Sequence, residues 1–272
     1  MDICHKLGKR VSAEVEQTPQ DDEYWRCQLA TTSLEREAPI QARTFLRGYC
    51  TKACPVMMQC SDGESYMVKG KQAGRQIVND QIVARLGILL GAPVGKPRLI
   101  QIPAELIEIE PRLSHIPPGM AHGTQFIPNC IDQIALIATS QPENRPRLAR
   151  LAVLYGWVFP GDWQFLFSRT PPRLIHSVDH GHFFPGGPDW HTEDLQAAVA
   201  PFMPRCFQDC ALTSDELQGA LDALSAISEA QIVKVVASLP DSWGLTIEER
   251  ITLVRYLRNR QRDLPITFES ER

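Results

Sequence analysis

The chain has 272 residues, enough for one large domain or for two lobes that each bury a hydrophobic core. With 43% hydrophobic residues, 22% charged residues and a formal net charge of -4, it lacks a basic footprint for nucleic acid or anionic membranes. No apolar run reaches the roughly 18 residues of a membrane span, and the opening "MDICHKLGKR" lacks the apolar core of a signal peptide. We therefore expect a cytoplasmic globular protein that binds neither nucleic acid nor membranes.

The chain contains eight cysteines. In a chain of this length without a secretion signal, such cysteines are typical of reduced thiols rather than of a disulfide framework. Cys50 and Cys54, like Cys206 and Cys210, are separated by three residues, which differs from the C-x-x-C pairs of a zinc ribbon. The spacing therefore does not predict a structural zinc site.

The first elements in chain order predict a β-rich lobe after a polar start. Residues 1–38 are polar and acidic in the middle, which predicts a mobile or loosely docked extension. The segment "PVMMQCSDGESYMVKG" contains two apolar runs separated by Asp62 and Gly63, and this pattern predicts a β-hairpin that ends at Lys69.

A helix and further strands follow this hairpin. Apolar residues recur at helical spacing between Ile77 and Leu90, and Gly91 and Pro93 end the pattern. Strands are predicted at 98–102 and in "AHGTQFI", with a loop between them. Residues 39–127 are therefore predicted to form a small, mainly-β N-lobe crossed by one helix.

The remainder, residues 128–272, is predicted to form a larger, mainly-α C-lobe. Helical spacing is present at 131–138 and at 147–158. Three further helices begin with capping boxes, formed by Thr213 with Glu216, Ser228 with Gln231 and Thr246 with Glu249. Between these helical groups, residues 159–185 contain two short strands joined by a Pro-Pro turn. The overall prediction is an α+β protein with two lobes and a cleft between them.

Two residues of the N-lobe are candidates for phosphate binding. Lys69 lies at the end of a strand, and Asp80 lies inside the following helix among apolar neighbours. An ion pair between them would direct the ammonium group towards a phosphate. Taken separately, Lys69 is equally compatible with a lysine that extends to solvent, and Asp80 with a surface residue that pairs with a neighbouring charge.

The hairpin at 159–185 supplies two carboxylates. Asp162 follows a Pro-Gly turn, and Asp179 ends an apolar strand without a turn signal before it. Both are predicted to face the cleft, where one acid would orient a hydroxyl nucleophile and the other would hold magnesium for phosphoryl transfer. Asp162 alone is also compatible with an ordinary turn residue.

The histidines near Asp179 permit a different hypothesis. A transition-metal hydrolase would take its ligands from His176, His180, His182 and His191, together with Asp179 and Asp189. The sequence lacks an H-E-x-x-H motif that would complete such a site, so structural or solvent-facing histidines are the alternative.

Five segments in order resemble one known family. They are "YMVKG", "IVNDQIVARLG", "GDWQFLF", "SVDHGHFF" and "LPDSWGLTIEERITLVRYLRNRQ", and they lie within about residues 40–262. Their order and spacing resemble the HipA-like kinase domain family, a distant branch of the protein-kinase-like fold. The resemblance implies a bilobal kinase that binds ATP with Mg²⁺ and transfers a phosphoryl group to an acceptor, which we expect to be a protein.

The resemblance also implies roles for individual residues. Lys69 matches the ATP-binding strand lysine, and Asp80 takes the place of the helix glutamate that pairs with it. Asp162 matches the catalytic-loop aspartate, and Asp179 matches the magnesium-binding aspartate. Asp80 is one methylene shorter than the usual glutamate, so the pair must approach more closely or meet through water.

Two departures leave an alternative open. Phe167 occupies the position five residues after Asp162 where the family usually has a metal-binding asparagine, and Gln164 is the nearby amide that could replace it. No glycine-rich loop precedes Lys69, so residues 47–53 are expected to cover the phosphates. Both departures are also compatible with a catalytically inactive kinase-like module that holds a partner.

Overall fold

A computed structural model describes residues 19–33, 36–197 and 203–270 of the chain. The described part of the chain contains a small β-rich lobe and a larger helical lobe. Helix α1, Pro19–Ser33, precedes both. The α+β class and the two-lobed arrangement agree with the sequence analysis.

The small lobe is a closed five-stranded β barrel. Its strands are β1 (Ile40–Gly48), β2 (Val56–Cys60), β3 (Ser65–Lys69), β4 (Pro97–Ile102) and β5 (Gly119–Gln125). They pair in the order β1-β2-β3-β5-β4, and a short parallel contact between β1 and β4 closes the barrel. Alternate side chains such as Val56, Met58 and Val68 point inwards and are fully buried, which explains the period of two in the sequence.

Helix α2, Gln76–Leu90, lies between the barrel and the helical lobe. It contacts β4 and β5 on one side and α4 (Arg145–Val158) and α8 (Glu229–Ala237) on the other. The helix ends as predicted at Gly91, whose left-handed φ of 70° is accessible to glycine at little cost. The barrel also carries one short helix that the sequence analysis did not assign, α3 (Ala104–Ile109).

The larger lobe combines helices with a three-stranded antiparallel sheet. The sheet consists of β6 (Cys130–Gln133), β7 (Gln164–Ser168) and β8 (Ile175–Val178) in that order. The remaining helices are α5 (Thr192–Ala197), α6 (Arg205–Gln208), α7 (Ser214–Ser225) and α9 (Ile247–Ser270), together with α4 and α8. All three predicted capping boxes are present, because each hydroxyl residue and its partner exchange hydrogen bonds at the start of α7, α8 and α9.

The predicted helix at 131–138 is wrong. Residues 130–133 form β6, in which Ile131 lies opposite Phe167 of β7. Residues on both sides of this strand, Asn129 and Ala138, have positive φ angles that interrupt helical geometry. A short apolar run fits either period, and here pairing with β7 determines the outcome.

The predicted loosely docked extension is a docked helix over 19–33. Helix α1 packs against α8 and α9, and Leu29 is buried in the main hydrophobic core. After the helix, both terminal nitrogens of Arg36 bind the carboxylate of Asp241. A polar segment can therefore pack on the helical lobe when one apolar side chain is buried and its charged side chains form ion pairs. Residues 1–18 of the predicted extension lie outside the described residues.

Within the described ranges, no helix is both long and apolar enough to cross a lipid bilayer. Seven cysteines belong to those ranges, and all of them are free thiols. Disulfide bonds therefore make no contribution to the described fold.

Candidate active site

Lys69, the last residue of β3, contacts carboxylates from two other elements. Its Nζ donates hydrogen bonds to Oδ2 of Asp80 on α2, at 2.9 Å, and to Oδ1 of Asp179 after β8, at 2.5 Å. The side chains of Lys69 and Asp80 are 9% and 3% exposed, whereas that of Asp179 is 48% exposed. One ammonium group therefore connects the barrel, α2 and the helical lobe. The shorter side chain of Asp80 reaches Lys69 directly.

Lys69 and Asp80 are both charged at neutral pH. Burial by itself lowers the pKa of Lys69, but the carboxylates of Asp80 and Asp179 outweigh it and raise the pKa. Burial by itself raises the pKa of Asp80, but Lys69 outweighs it and lowers the pKa. Two carboxylates around one ammonium group leave an excess of negative charge, which favours a further cation beside Asp179.

Asp179 leaves the sheet through a strained backbone conformation. Its φ is 59°, in the left-handed region that residues other than glycine rarely adopt. This conformation directs the carboxylate to Lys69, while the next residue, His180, enters the core. The apolar strand ends in an acid because β8 passes from the core of the helical lobe to the cleft at this point.

Two of the histidines around Asp179, His176 and His180, have structural partners. Nε2 of His180 lies 2.8 Å from the Ser177 hydroxyl, and burial lowers the pKa of His180 to about 4, so the ring is neutral at pH 7. Nδ1 of His176 lies 3.4 Å from the guanidinium group of Arg147. Among the described residues, no three His, Cys, Asp or Glu side chains form a group that could hold a metal ion. This part of the chain gives no support to the metal-histidine hydrolase hypothesis.

Gln164 lies on the same sheet as Asp179 and has a fixed amide. It pairs with Val178, the residue before Asp179, so its side chain lies on the face of the sheet that β8 presents beside the cleft. Its Nε2 donates to Oδ2 of Asp132 on β6, at 2.6 Å. Because a carboxylate only accepts, this contact directs the amide nitrogen to Asp132 and leaves Oε1 for another partner.

Phe167 lies on the opposite face of β7 from Gln164. It is fully buried and pairs with Ile131 and Ile175 in the core of the helical lobe. Its position cannot supply a metal ligand, whatever residue occupies it. Gln164, on the other face of β7, stays the predicted replacement for the amide ligand.

Asp162 lies on an exposed loop that is tied to the residues after Asp179. Its Oδ1 accepts a hydrogen bond from the backbone N–H of Trp163, at 2.7 Å. The N–H of Gly161 donates to the carbonyl oxygen of His182 at 3.0 Å, and a Cβ on Gly161 would lie 2.3 Å from that oxygen. Asp162 is thus held near the Asp179 loop by backbone contacts, whereas Lys69, Asp80 and Asp179 touch directly.

The predicted phosphate cover, residues 47–53, comprises the end of β1 and most of the turn to β2. The turn is held on its own lobe, because Nε2 of Gln72 donates to the carbonyl oxygen of Ala53, at 3.3 Å. Nε2 of His115 lies 3.3 Å from the carbonyl oxygen of Cys54. The turn therefore has a defined position in the barrel without a glycine-rich sequence.

Sequence reasoning missed two residues beside the site. Asp132 orients Gln164, but it lies in the segment that was predicted to be helical, so its position could not be inferred. Asn79 precedes Asp80 on α2 and forms hydrogen bonds with four other residues. The position of Asn79 among apolar residues in "IVNDQIV" could have indicated this role, because a buried amide needs hydrogen-bond partners.

A cavity of about 500 Å³ lies elsewhere, between the β2–β3 hairpin, the C-terminal half of α2 and α8. None of the five candidate residues lines it. The candidate residues therefore lie away from this cavity, and Lys69 contacts Asp179 between the two lobes.

Comparisons with known proteins agree on a kinase architecture. The model of the HipA-like kinase family matches residues 50–264 of the chain. The structure of the Helicobacter pylori proinflammatory kinase CtkA is similar with a TM-score of 0.58 and 11% identity, and the match covers 86% of this chain and 97% of that one. No curated protein sequence matches the chain. The predicted bilobal kinase-like fold is confirmed by the family model and this structure.

Two structures of the Golgi casein kinase are also similar. One has a TM-score of 0.49 and 11% identity, and the match covers 93% of this chain and 78% of that chain. The other, with Mn/ADP bound, has a TM-score of 0.46 and 10% identity, with coverage of 92% and 77%.

Proposed function

Because this chain belongs to the HipA-like kinase family, and is thus a phosphotransferase, we propose that it binds ATP with Mg²⁺ and phosphorylates a protein. The observation that carries this proposal is the contact of one buried lysine with two carboxylates, of which Asp80 belongs to the same lobe and Asp179 to the other lobe. Residues 39–127 are the proposed nucleotide-binding lobe, and residues 128–272 the proposed catalytic lobe.

Lys69 is the proposed contact to the nucleotide phosphates. Its position is fixed by Asp80, which is buried on a helix that packs against both lobes. A fixed ammonium group loses little entropy when it binds an anion, and its charge is retained because its pKa is raised. Asp80 therefore serves to hold Lys69 in place.

Asp179 and Gln164 are the proposed magnesium ligands. Mg²⁺ prefers oxygen ligands and is usually held by one or two carboxylates together with substrate phosphates and water. A half-exposed carboxylate and an amide whose oxygen is directed away from Asp132 fit this donor set. When bound, the ion neutralises charge on the phosphate oxygens.

Asp162 is the proposed catalytic residue. Its carboxylate would orient the acceptor hydroxyl and take its proton while the new oxygen–phosphorus bond forms and the bond to the ADP leaving group breaks. Asp162 lies on an exposed loop, so a hydroxyl on the surface of a macromolecule can reach it. This exposure supports a protein acceptor. The free thiols of the described residues support a cytoplasmic location.

The decisive variant is Asp179→Asn, compared with Asp189→Asn, an exposed aspartate ten residues later that forms none of these contacts. Calorimetric titration with ATP should show that Asp179→Asn abolishes magnesium-dependent binding and leaves thermal unfolding close to wild type. Asp189→Asn should bind as the wild type does. Undiminished Mg-ATP affinity in Asp179→Asn would contradict the proposed site.

A single-turnover assay with labelled ATP separates a kinase from an inactive module. The kinase transfers label to protein in a lysate or to itself, and the transfer is much slower with Asp162→Asn. A module that binds nucleotide and stabilises itself without any transfer would overturn the proposed activity while leaving the nucleotide site in place.

A further inference from the structure

Helix α2 touches the segment that follows Asp179. This downstream segment, residues 181–190, leaves the site after His180 and runs along the N-terminal half of α2. A Cβ on Gly181 would lie 2.8 Å from Cβ of Gln76, so only glycine allows this close approach without displacement. The segment is therefore in direct contact with the helix that carries Asp80.

Asn79 is the centre of this contact. Its Nδ2 lies 2.9 Å from the carbonyl oxygen of Gly181, 2.8 Å from that of Phe183 and 3.1 Å from that of Gly187. Its Oδ1 accepts a hydrogen bond from Nε1 of Trp190, at 3.0 Å. Asn79 and Trp190 are both completely buried. One amide therefore binds the beginning, the middle and the end of the downstream segment.

The chemistry of these partners requires an asparagine. Three carbonyl oxygens accept hydrogen bonds, and the indole N–H only donates, so the amide has one possible orientation. An aspartate of the same shape would place a carboxylate oxygen against three carbonyl oxygens, which is repulsive. An apolar residue would leave buried carbonyl groups and the indole N–H without hydrogen-bond partners. The free-energy cost of such unpaired groups exceeds the net gain from forming the hydrogen bonds.

A second contact supports the same arrangement. Arg75, immediately before α2, donates to the carbonyl oxygen of Trp190 at 3.2 Å, and its guanidinium carbon lies 5.0 Å from the centre of the Trp190 ring. The same arginine pairs with Glu249, at the start of α9. The downstream segment is thus fixed at its far end between α2 and the helical lobe.

We propose that Asn79 is a positioning residue that fastens the downstream segment to α2 and so keeps Asp179 assembled with Lys69 and Asp80. Asp80 is the next residue of α2, and Gly181 is two residues from Asp179. The amide of Asn79 therefore connects the helix that carries Asp80 with the segment that follows Asp179. The effect on nucleotide binding rests on the proposed function, whereas the fastening of the segment does not.

The first test is hydrogen exchange in the full chain, with Asn79→Asp compared with Gln81→Met. Gln81 is an equally buried amide on α2 whose side chain contacts His122 of the barrel instead. Amides of the downstream segment should exchange at least about tenfold faster in Asn79→Asp and at the wild-type rate in Gln81→Met. Exchange in α7 should be unchanged in both, and an unchanged segment in Asn79→Asp would overturn the proposal.

A second variant protects the test against a failure to fold. Trp190→Phe removes the indole donor together with part of a buried ring, and it should accelerate exchange at the end of the downstream segment if Asn79 holds it there. In Asn79→Asp and in Trp190→Phe the affinity for Mg-ATP should fall about tenfold or more, which is the usual effect of changing a residue that positions a metal ligand. Gln81→Met should keep the wild-type affinity. Faster exchange with wild-type affinity would overturn the link to Asp179. A wild-type protein that does not bind Mg-ATP would overturn the proposed function and this link together, while the exchange result still decides whether Asn79 fastens the segment.

Discussion

The two halves of the candidate site are built differently. Around Lys69, the ammonium group and the carboxylate of Asp80 are buried, and they lie on a strand end and on a helix that packs on both lobes. Around Asp162, the carboxylate is exposed, and its loop is held by backbone hydrogen bonds to the residues after Asp179. The comparison shows that the half around Lys69, proposed to bind the nucleotide, is held by charge, whereas the half around Asp162, proposed for phosphoryl transfer, is held by loop geometry. Changes at Lys69 or Asp80 should affect stability and binding, and changes at Asp162 should affect the rate alone.

The largest effect is expected for Lys69→Met. Removing the ammonium group leaves Asp80 buried without its counter-charge, which should lower the free energy of unfolding by about 3–5 kcal/mol. Phosphoryl transfer should fall below detection. Chemical denaturation and the single-turnover assay measure the two effects.

The double variant Lys69→Met with Asp80→Leu separates stability from catalysis. Replacing a buried ion pair with apolar side chains of similar size is often neutral for stability. The double variant should therefore recover most of the lost stability and remain inactive. If Lys69→Met unfolds as the wild type does, the cluster is not held together by charge and the comparison fails.

The next effect concerns the exposed half. Asp162→Asn should lower the single-turnover rate by about 10²–10⁴-fold, as for loss of a general base. Because the side chain is exposed, the free energy of unfolding should change by no more than about 0.5 kcal/mol. Calorimetric titration should give an unchanged nucleotide affinity, and a parallel loss of affinity would show that the two halves are not separable.

A smaller effect is expected for Gln164→Ala. Loss of one neutral oxygen ligand should weaken magnesium-dependent nucleotide binding by about tenfold, because Asp179 still supplies the charged ligand. Titration of nucleotide at several magnesium concentrations detects this change. Phe167→Asn is the matched comparison, since it restores the usual family residue at a position that faces the core. It should destabilise the protein without any gain in metal affinity.

The sequence predicted those features that local chemistry determines. Hydroxyl and acid or amide pairs three residues apart located the starts of α7, α8 and α9, because a capping box needs only four consecutive residues. The Asp62-Gly63 turn located the hairpin that ends at Lys69. The ion pair between Lys69 and Asp80, 11 positions apart, was likewise suggested by the residues themselves, whereas the contact between Lys69 and Asp179 joins residues 110 positions apart and was not predicted by the residue pattern.

The failures have a common physical cause. Strand β6 was predicted as helix because a short apolar run carries no information about the element that it pairs with. In the structure β6 pairs with β7, where Phe167 lies opposite Ile131. Asn79 was missed because the acceptors of its amide lie about a hundred residues further along the chain. The roles of the site residues remain predictions, and the variants above test them.

The smallest effect is a pH dependence of stability that originates beside the buried half. His122 lies opposite Lys69 on β5, and its ring contacts Gln81 and Thr124. Burial lowers its pKa to about 4 from 6.5, and the nearby Asp80 only partly opposes this. Between these two pH values the unfolded state binds more protons than the folded state, so this contribution to stability falls as the pH falls.

Between pH 7 and pH 5, His122 should account for a loss of about 1–2 kcal/mol in the free energy of unfolding. His122→Asn cannot titrate, so its stability should decrease less over this interval than that of the wild type. His115→Asn, which changes an exposed histidine, should keep the wild-type dependence. Urea denaturation of the three proteins at both pH values makes the comparison. Equal losses in wild type and His122→Asn would mean that the ring titrates freely, and that the barrel beside Lys69 is less tightly closed than its contacts indicate.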